Sequence, residues 1–96
     1  MIVQEISKKI APILQRNDVT FAGIFGSRAR GEERADSDVD LLVRFNKQKG
    51  LFELSGLERD LSEKLNLKVD LVTEGALSPL LKTEVLKDLQ PLYGQR

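Results

Sequence analysis

The sequence predicts an α/β domain in which a small mixed β-sheet carries helices mainly on one face. Three observations predict this class. Segments with helical hydrophobic spacing alternate with short apolar runs typical of strands, and residues common in turns separate these segments. The 96 residues are sufficient for a single domain, residues 1–96, with a real hydrophobic core. The predicted order of elements is α-β-α-β-α-β-α.

The N-terminal third predicts a helix, a strand and a short helix. Apolar residues recur at helical spacing over residues 2–16, namely Ile2, Ile6, Ile10, Ile13 and Leu14. Pro12 interrupts this pattern, so we expect it to kink the helix or to end it early. Val19–Phe25 is a nearly continuous apolar run, which predicts a buried strand. Gly26-Ser27 ends this strand, and Ser27 is a candidate cap for a short helix that runs through Arg34.

The middle of the chain predicts a long helix with one strand before it and one strand after it. Residues 38–45 form the second predicted strand, and a polar loop follows over residues 46–50. Leucine spacing predicts a helix over residues 51–66, which Gly56 weakens modestly. Residues 67–73 alternate between apolar and polar side chains and predict the third strand.

The C-terminal segment predicts a last helix. Ser78 is a candidate N-cap with Pro79 at the first helical position, and an apolar stripe follows, formed by Leu81, Val85 and Leu89. Residues 91–93 are either a short terminal strand or a tail.

Composition excludes several chemistries. The chain has no cysteine and no histidine, which excludes disulfides, zinc sites, cysteine nucleophiles and histidine bases. Any metal must therefore be held by oxygen, which favours Mg²⁺, Mn²⁺ or Ca²⁺, and any general base must be a carboxylate, a lysine or a tyrosine. The zero net charge gives no indication of nucleic-acid binding, and no segment is typical of a signal peptide or a membrane span. We therefore expect a cytoplasmic protein.

Acidic residues occupy matching sides of the second and third predicted strands. Asp38 and Asp40 alternate with apolar residues in one strand, and Asp70 does so in the other, so all three carboxylates share a face if the apolar sides cover the helices. Carboxylates two residues apart on a strand lie ~6.5 Å apart and repel by ~2–3 kcal/mol at an effective dielectric of about 20. A divalent cation would turn this repulsion into binding energy. The alternative is that Asp38 is a turn or cap residue before the strand and the other two are solvated.

The Gly26-Ser27 turn precedes this acidic strand. Glycine lets a phosphate approach the backbone closely, and N–H groups at a helix start favour an anion. The Ser27 hydroxyl adds a donor, and guanidinium groups at Arg28 and Arg30 suit phosphate. Arg34 is a weaker candidate, and a solvated basic loop is the alternative for each arginine. The candidate phosphate-binding residues are thus Gly26, Ser27, Arg28 and Arg30.

The stretch GSRARGEERADSDVDLLV, residues 26–43, resembles the G-S-x-A-R-G-x(5)-S-D-x-D-L-x-V signature of the minimal nucleotidyltransferases. These enzymes belong to the DNA polymerase β-like nucleotidyltransferase superfamily. Asp70, in LKVDLV, fits the third acidic position of that family. The close resemblance covers residues 23–73, and the flanking helices match only in length and order.

The resemblance implies a nucleotidyltransferase fold and a role for each motif residue. Gly26 and Ser27 would grip the phosphates of an NTP. Asp38 and Asp40 would ligate the Mg²⁺ bound to the triphosphate and share a second Mg²⁺ with Asp70, which would help to activate the acceptor hydroxyl. This agrees with two-metal catalysis of an in-line displacement. Without metal, repulsion should raise the pKa of at least one of the three carboxyls.

Two function classes are favoured, and they are compatible with each other. The first is an enzyme that transfers AMP from ATP to a hydroxyl, and the second is an antitoxin that neutralises a HEPN-domain ribonuclease toxin by binding. Family members of this size resemble the antitoxin halves of such modules, so the acceptor is expected to be the toxin itself. An open acidic face with a basic rim suits a large acceptor, the rim being Arg28, Arg30, Arg34 and Arg44. A homodimer that completes the site is the alternative, and modification of a small molecule is a third reading.

Overall fold

A computed structural model describes residues 1–95. The helices are α1 (Val3–Arg16), α2 (Ser27–Arg30), α3 (Leu51–Leu65) and α4 (Pro79–Asp88). The strands are β1 (Val19–Phe25), β2 (Val39–Phe45), β3 (Val69–Val72) and β4 (Gln90–Gly94), and a single 3-10 turn covers Glu74–Ala76. The predicted alternation is therefore confirmed, and the segment left open at residues 91–93 is a strand.

The four strands form one mixed sheet in the order β3-β2-β1-β4. β1 pairs antiparallel with both β2 and β4, whereas β2 and β3 are parallel. α3 supplies the crossover between the parallel pair, as such a connection requires. This arrangement confirms the predicted α/β class with a small mixed sheet.

The core lies between one face of this sheet and the pair of helices α1 and α3. It is built from alternate strand residues and from the apolar stripes of both helices; its fully buried members include Ile6, Ile10, Leu14, Ile24, Val39, Leu41 and Leu61. α4 lies on the opposite face, where Leu89 sits directly over Gly23 of β1. Two of the three longer helices therefore share one face. On the other face Phe21 and Leu42 are fully buried, whereas Asp40 and Asp70 remain partly exposed.

Pro12 neither ends the first helix nor shortens it, because α1 continues to Arg16. Proline cannot donate to the carbonyl of Lys8, and both residues are exposed, so the unpaired carbonyl lies on the outer side of the helix. At the last helix the expected cap is confirmed. The Ser78 hydroxyl accepts a hydrogen bond from the Leu81 N–H at 3.3 Å, with Pro79 in the first turn.

The short helix after β1 differs from the prediction in two respects. It ends at Arg30 rather than Arg34, because Gly31 adopts a left-handed conformation (φ 74°) that closes the turn. Ser27 is its first residue and not its cap; Gly26 occupies the cap position, and no side chain caps this end. In the part of the chain that the structure describes, no helix has the length and apolar character needed to cross a membrane.

Candidate active site

The parallel pairing of β2 and β3 brings two of the predicted acidic residues side by side. Asp40 is the register partner of Asp70, and the pairs on either side place Val39 and Leu41 of β2 in the core. Because side chains alternate across a strand, both carboxylates lie on the face away from α1 and α3. The shared face inferred from the sequence pattern is thus present for Asp40 and Asp70.

Asp38 lies one residue before β2 and is exposed. Its negative charge acts on the ionisation of Asp40, and the charge of Asp70 acts on Asp40 in the same direction. Burial is the first cause that raises the pKa of Asp40, and repulsion from Asp70 and then Asp38 adds to it. The positive charges of Arg30 and Lys68 oppose this rise. The expected upward shift of the pKa therefore falls on Asp40, and partial burial is its largest single cause, ahead of the repulsion that we expected.

Gly26 connects the turn to the acidic strand. Its backbone, at φ 78° and ψ −155°, lies in a region that is essentially open only to glycine. A β-carbon built at this position would lie 2.4 Å from Oδ2 of Asp40. The chain therefore needs glycine here for two independent reasons, and the absence of a side chain is what lets the turn approach the Asp40 carboxylate.

Arg28 is buried, with 4% of its surface exposed. Its guanidinium donates to the carbonyl of Ser37 at 2.9 and 3.2 Å, to that of Ala35 at 3.4 Å and to that of Met1 at 3.5 Å. All three nitrogens thus bind backbone carbonyls. In this conformation Arg28 ties down the loop that leads to Asp38, and it does not present donors to a phosphate as the sequence suggested.

Arg30 is placed differently, with 46% of its side chain exposed. Nε donates to Glu32 at 2.7 Å, and Nη1 donates to Asp88 at 2.8 Å. Arg34 is exposed, and its backbone N–H donates to the Ser37 hydroxyl at 2.8 Å. The structure therefore keeps Arg30 on the side of the acidic face and gives Arg34 a local role in the loop.

Arg44 lies at the other end of β2 and is paired with Glu74, to which its Nε donates at 2.7 Å. The proposed basic rim is therefore not a continuous free surface, since Arg28 and Arg44 are both engaged within the fold. Sequence reasoning did not select Lys68, whose Nζ lies 4.0 Å from Oδ1 of Asp70. Their spacing of two residues on one strand could have identified it.

The three carboxylates are chemically suited to a hard cation, but they are too far apart in this side-chain arrangement to bind one together. The acidic cluster of Asp38, Asp40 and Asp70 offers carboxylate oxygens, and oxygen is the ligand that Mg²⁺ prefers. Among residues 1–95, no group of three or more acidic side chains has the geometry to hold a metal ion. The residues present thus suit Mg²⁺, and the carboxylates would have to draw together around it.

Comparison with known proteins shows the family to which this fold belongs. The family described as Polymerase beta, Nucleotidyltransferase matches residues 8–96. A relative from Methanocaldococcus jannaschii, whose name assigns protein adenylyltransferase activity provisionally, is 43% identical over 92% of this chain and 95% of its own. Protein adenylyltransferase MntA of Thermococcus cleftensis is 40% identical over 78% of this chain and 76% of its own.

A solved structure with the same fold covers most of the molecule. The crystal structure of a toxin-antitoxin with AMP-PNP superimposes with a TM-score of 0.82 over 94% of this chain and 74% of that chain, at 26% identity. The fold inferred from the sequence is thereby confirmed beyond the motif itself, because the match includes the flanking helices as well as residues 26–43.

Proposed function

This chain belongs to the polymerase beta nucleotidyltransferase family, and from that premise we propose that it transfers AMP from ATP to a hydroxyl group of a partner protein. The observation that carries the proposal is the acidic pair Asp40–Asp70, held in register on the open face and contacted by the Gly26 turn. The relatives named as protein adenylyltransferases support AMP as the group transferred and a protein as the acceptor.

In the proposed reaction the acceptor oxygen attacks the α-phosphorus of ATP. A new P–O bond forms, the bond to the β-phosphate bridging oxygen breaks, and pyrophosphate leaves. The hydroxyl proton passes to Asp70, the carboxylate assigned to activating the acceptor. Asp40 and Asp38 face the phosphates, and the Gly26-Ser27 turn offers backbone N–H groups and one hydroxyl to them. Catalysis of this kind depends on positioning and charge stabilisation, so a site without histidine or cysteine is sufficient.

We propose that Asp38, Asp40 and Asp70 hold Mg²⁺, with two ions as the expected number. Bound Mg²⁺ supplies charge stabilisation for the attacking and leaving oxygens. The cations of the fold compensate the three carboxylates incompletely: Lys68 lies 4.0 Å from Asp70, and the charges of Arg30 and Lys68 do not prevent the rise in the pKa of Asp40. Burial raises the pKa of Asp40, and the negative charges of Asp70 and Asp38 raise it further.

The proposed partner is a HEPN-domain toxin, which would make this chain the antitoxin of a two-protein module. The similar solved structure is described as a toxin-antitoxin with AMP-PNP, which supports both the kind of partner and an adenine nucleotide. Use of ATP as donor is consistent with the cytoplasmic location expected from the sequence. Asp40 and Asp70 stay partly exposed on the β2–β3 side of this face, which leaves room for an acceptor as large as a protein.

One experiment tests this proposal. The chain is co-expressed with the product of the adjacent gene, and the intact mass of that product is measured. Mass increments of AMP that vanish in Asp70→Asn, while the complex still forms, support transfer. Asp60→Asn on the exposed side of α3 is the matched control and should leave the increments unchanged. An unmodified but tightly held and inhibited partner contradicts transfer and leaves an antitoxin that acts by binding alone.

A further inference from the structure

Three contacts tie the C-terminal segment of residues 88–90 to the elements that carry the Gly26-Ser27 turn. Asp88, the last residue of α4, accepts from Nη1 of Arg30 at 2.8 Å. The Gln90 side-chain amide donates to the carbonyl of Ala29 at 2.6 Å. Leu89, between them, packs over Gly23 of β1. One short stretch thus fixes both the short helix α2 and the strand that precedes it.

Asp88 contradicts the usual charge preference of a helix end. A carboxylate in the last turn meets the negative end of the helix dipole, where lysine or arginine is favoured. Asp88 nevertheless lies there with 29% of its side chain exposed, and Arg30 is its ion-pair partner. Local rules of this kind are broken most often at functional sites, where another interaction compensates.

The guanidinium of Arg30 has N–H groups that make no hydrogen bond among residues 1–95. Arginine has five N–H groups, and among residues 1–95 only Nε and Nη1 of Arg30 are hydrogen-bonded, to Glu32 and Asp88. Arg28 differs, because its Nε, Nη1 and Nη2 all donate to carbonyls. Glu32 and Asp88 therefore fix the guanidinium of Arg30 while its remaining N–H groups can bind a ligand. Its charge also acts on Asp40.

We propose that Asp88 and Gln90 are positioning residues that hold Arg30 beside the Gly26-Ser27 turn, where its remaining N–H groups bind the phosphates of the nucleotide. This inference rests on the proposed function, because it assigns Arg30 to the same ATP. Asp88 fixes the direction of the side chain, and Gln90 fixes the backbone of α2 one residue before it. The ATP affinity then depends on a segment distant in sequence from the acidic strands.

The test is a double-mutant cycle on the full chain, with Mg²⁺ and ATP as the probe and calorimetry as the readout. Asp88→Asn should weaken ATP binding about tenfold, the size of one misplaced charge-assisted hydrogen bond. Arg30→Ala should weaken it at least as much, and adding Asp88→Asn to Arg30→Ala should change nothing further, because Asp88 acts through Arg30. Glu84→Gln, which breaks the exposed Glu84–Lys87 pair on the same helix, is the matched control and should bind as the wild type does.

The outcomes separate this inference from the function on which it rests. Absence of ATP binding by the wild-type chain would overturn both. Unchanged affinity in Asp88→Asn overturns the positioning role alone, as does an equal loss in the Arg30→Ala background. Tighter binding in Asp88→Asn also overturns it, because Asp88 would then compete with the nucleotide for Arg30. Asp88→Glu, which keeps the charge, should restore most of the affinity.

Discussion

Strand β2 carries charged side chains at both ends of the same sheet face, and the two ends treat that charge differently. At the far end, Arg44 pairs with Glu74, and Lys82 lies 3.4 Å from the same carboxylate. At the near end, Asp40 meets Asp70 and is close to Asp38. Lys68 lies 4.0 Å from Asp70, and the charge of Arg30 also acts on Asp40. At the far end the charges of Arg44, Lys82 and Glu74 compensate one another, as in an ion-pair cluster with a structural role. At the near end negative charge remains that a bound ligand can compensate.

The pKa values record the same difference. Burial tends to raise the pKa of Glu74, but hydrogen bonds and charges from Arg44 and Lys82 outweigh it, so the pKa lies below its usual value. Burial also raises the pKa of Asp40, and there its charged neighbours Asp70 and Asp38 add to the rise. Neighbouring cations thus stabilise the ionised form of Glu74, whereas neighbouring carboxylates destabilise the ionised form of Asp40. The end of β2 where the carboxylates are not compensated by cations is therefore the candidate for ligand binding.

The largest expected effect comes from removing the uncompensated charge. Asp38→Asn combined with Asp40→Asn should abolish metal-dependent ATP binding, because two of the three oxygen donors lose their charge. The metal-free fold should be unchanged or slightly more stable, since repulsion at the near end disappears. Calorimetry with Mg²⁺ and ATP together with thermal unfolding checks this, and unchanged affinity in the double variant would falsify the assignment of the acidic cluster.

The next largest effect is expected at the turn itself. Gly26→Val should remove transfer activity, because its β-carbon would meet Asp40 and its side chain would block close approach of a phosphate. Strain in this backbone region should also cost ~1–3 kcal/mol of stability. Gly31→Ala is the matched control, since Gly31 also has a positive φ but no atom lies within 4 Å of an added β-carbon. Full transfer activity in Gly26→Val would make the turn a structural feature only.

A milder loss is expected at Ser27. Ser27→Ala removes one hydroxyl donor and leaves the backbone N–H groups in place, and because Ser27 does not cap α2 the fold should be unaffected. A hydrogen bond to a charged phosphate contributes ~1.5–3 kcal/mol, which sets the expected loss of ATP affinity. Equal ATP affinity and equal thermal stability in the variant and the wild type would remove Ser27 from the site.

The smallest effect is expected at the compensated end, and its pH dependence should be opposite in sign to that of the near end. Glu74→Gln should cost ~0.5–1 kcal/mol of stability, since the pair is partly exposed, and should leave ATP binding unchanged. Glu74 has a lowered folded pKa, so its contribution is present above the unfolded value of 4.5 and is lost as pH falls through the folded pKa.

Asp40 has a raised folded pKa, so its ionisation destabilises the metal-free fold fully above that pKa. As pH falls through the folded pKa toward the unfolded value of 3.8, this destabilisation disappears. Thermal unfolding of Asp40→Asn and Glu74→Gln against the wild type, from neutral pH downward, measures both. Curves that diverge from the wild type in the same direction would contradict the comparison.

Sequence patterns predicted most of the fold because they report local periodicity. The leucine spacing of α3, the apolar run of β1 and the Ser78 cap each depend on neighbouring residues alone. The early end of α2 was mispredicted, because the left-handed conformation of Gly31 is decided by the surrounding structure. Helix α1 runs to Arg16 as its periodicity predicted, and Pro12 does not end it early. Strand pairing also lies beyond local pattern, which is why β4 remained open.

For the site, parity along two strands was enough to place Asp40 and Asp70 together, whereas the arginines could not be distinguished by chemistry. Arg28 and Arg30 lie two residues apart in one motif, yet one is buried among loop carbonyls and the other is exposed. Asp88 and Gln90 carry no local signal at all, because their contacts join segments that only the folded sheet brings together. Their role emerges from tertiary contacts alone.

The position of β4 beside β1 has a consequence for the order of events on the ribosome. Segments that are synthesised first can fold first, and pairing between distant strands forms late because closing a long loop costs chain entropy. β1, β2 and β3, which carry the turn and the acidic pair, leave the ribosome before residues 88–94. The nascent chain can therefore assemble its acidic cluster while Arg30 still lacks its partner Asp88, so the proposed binding of phosphate by Arg30 would begin only after residues 88–94 have emerged.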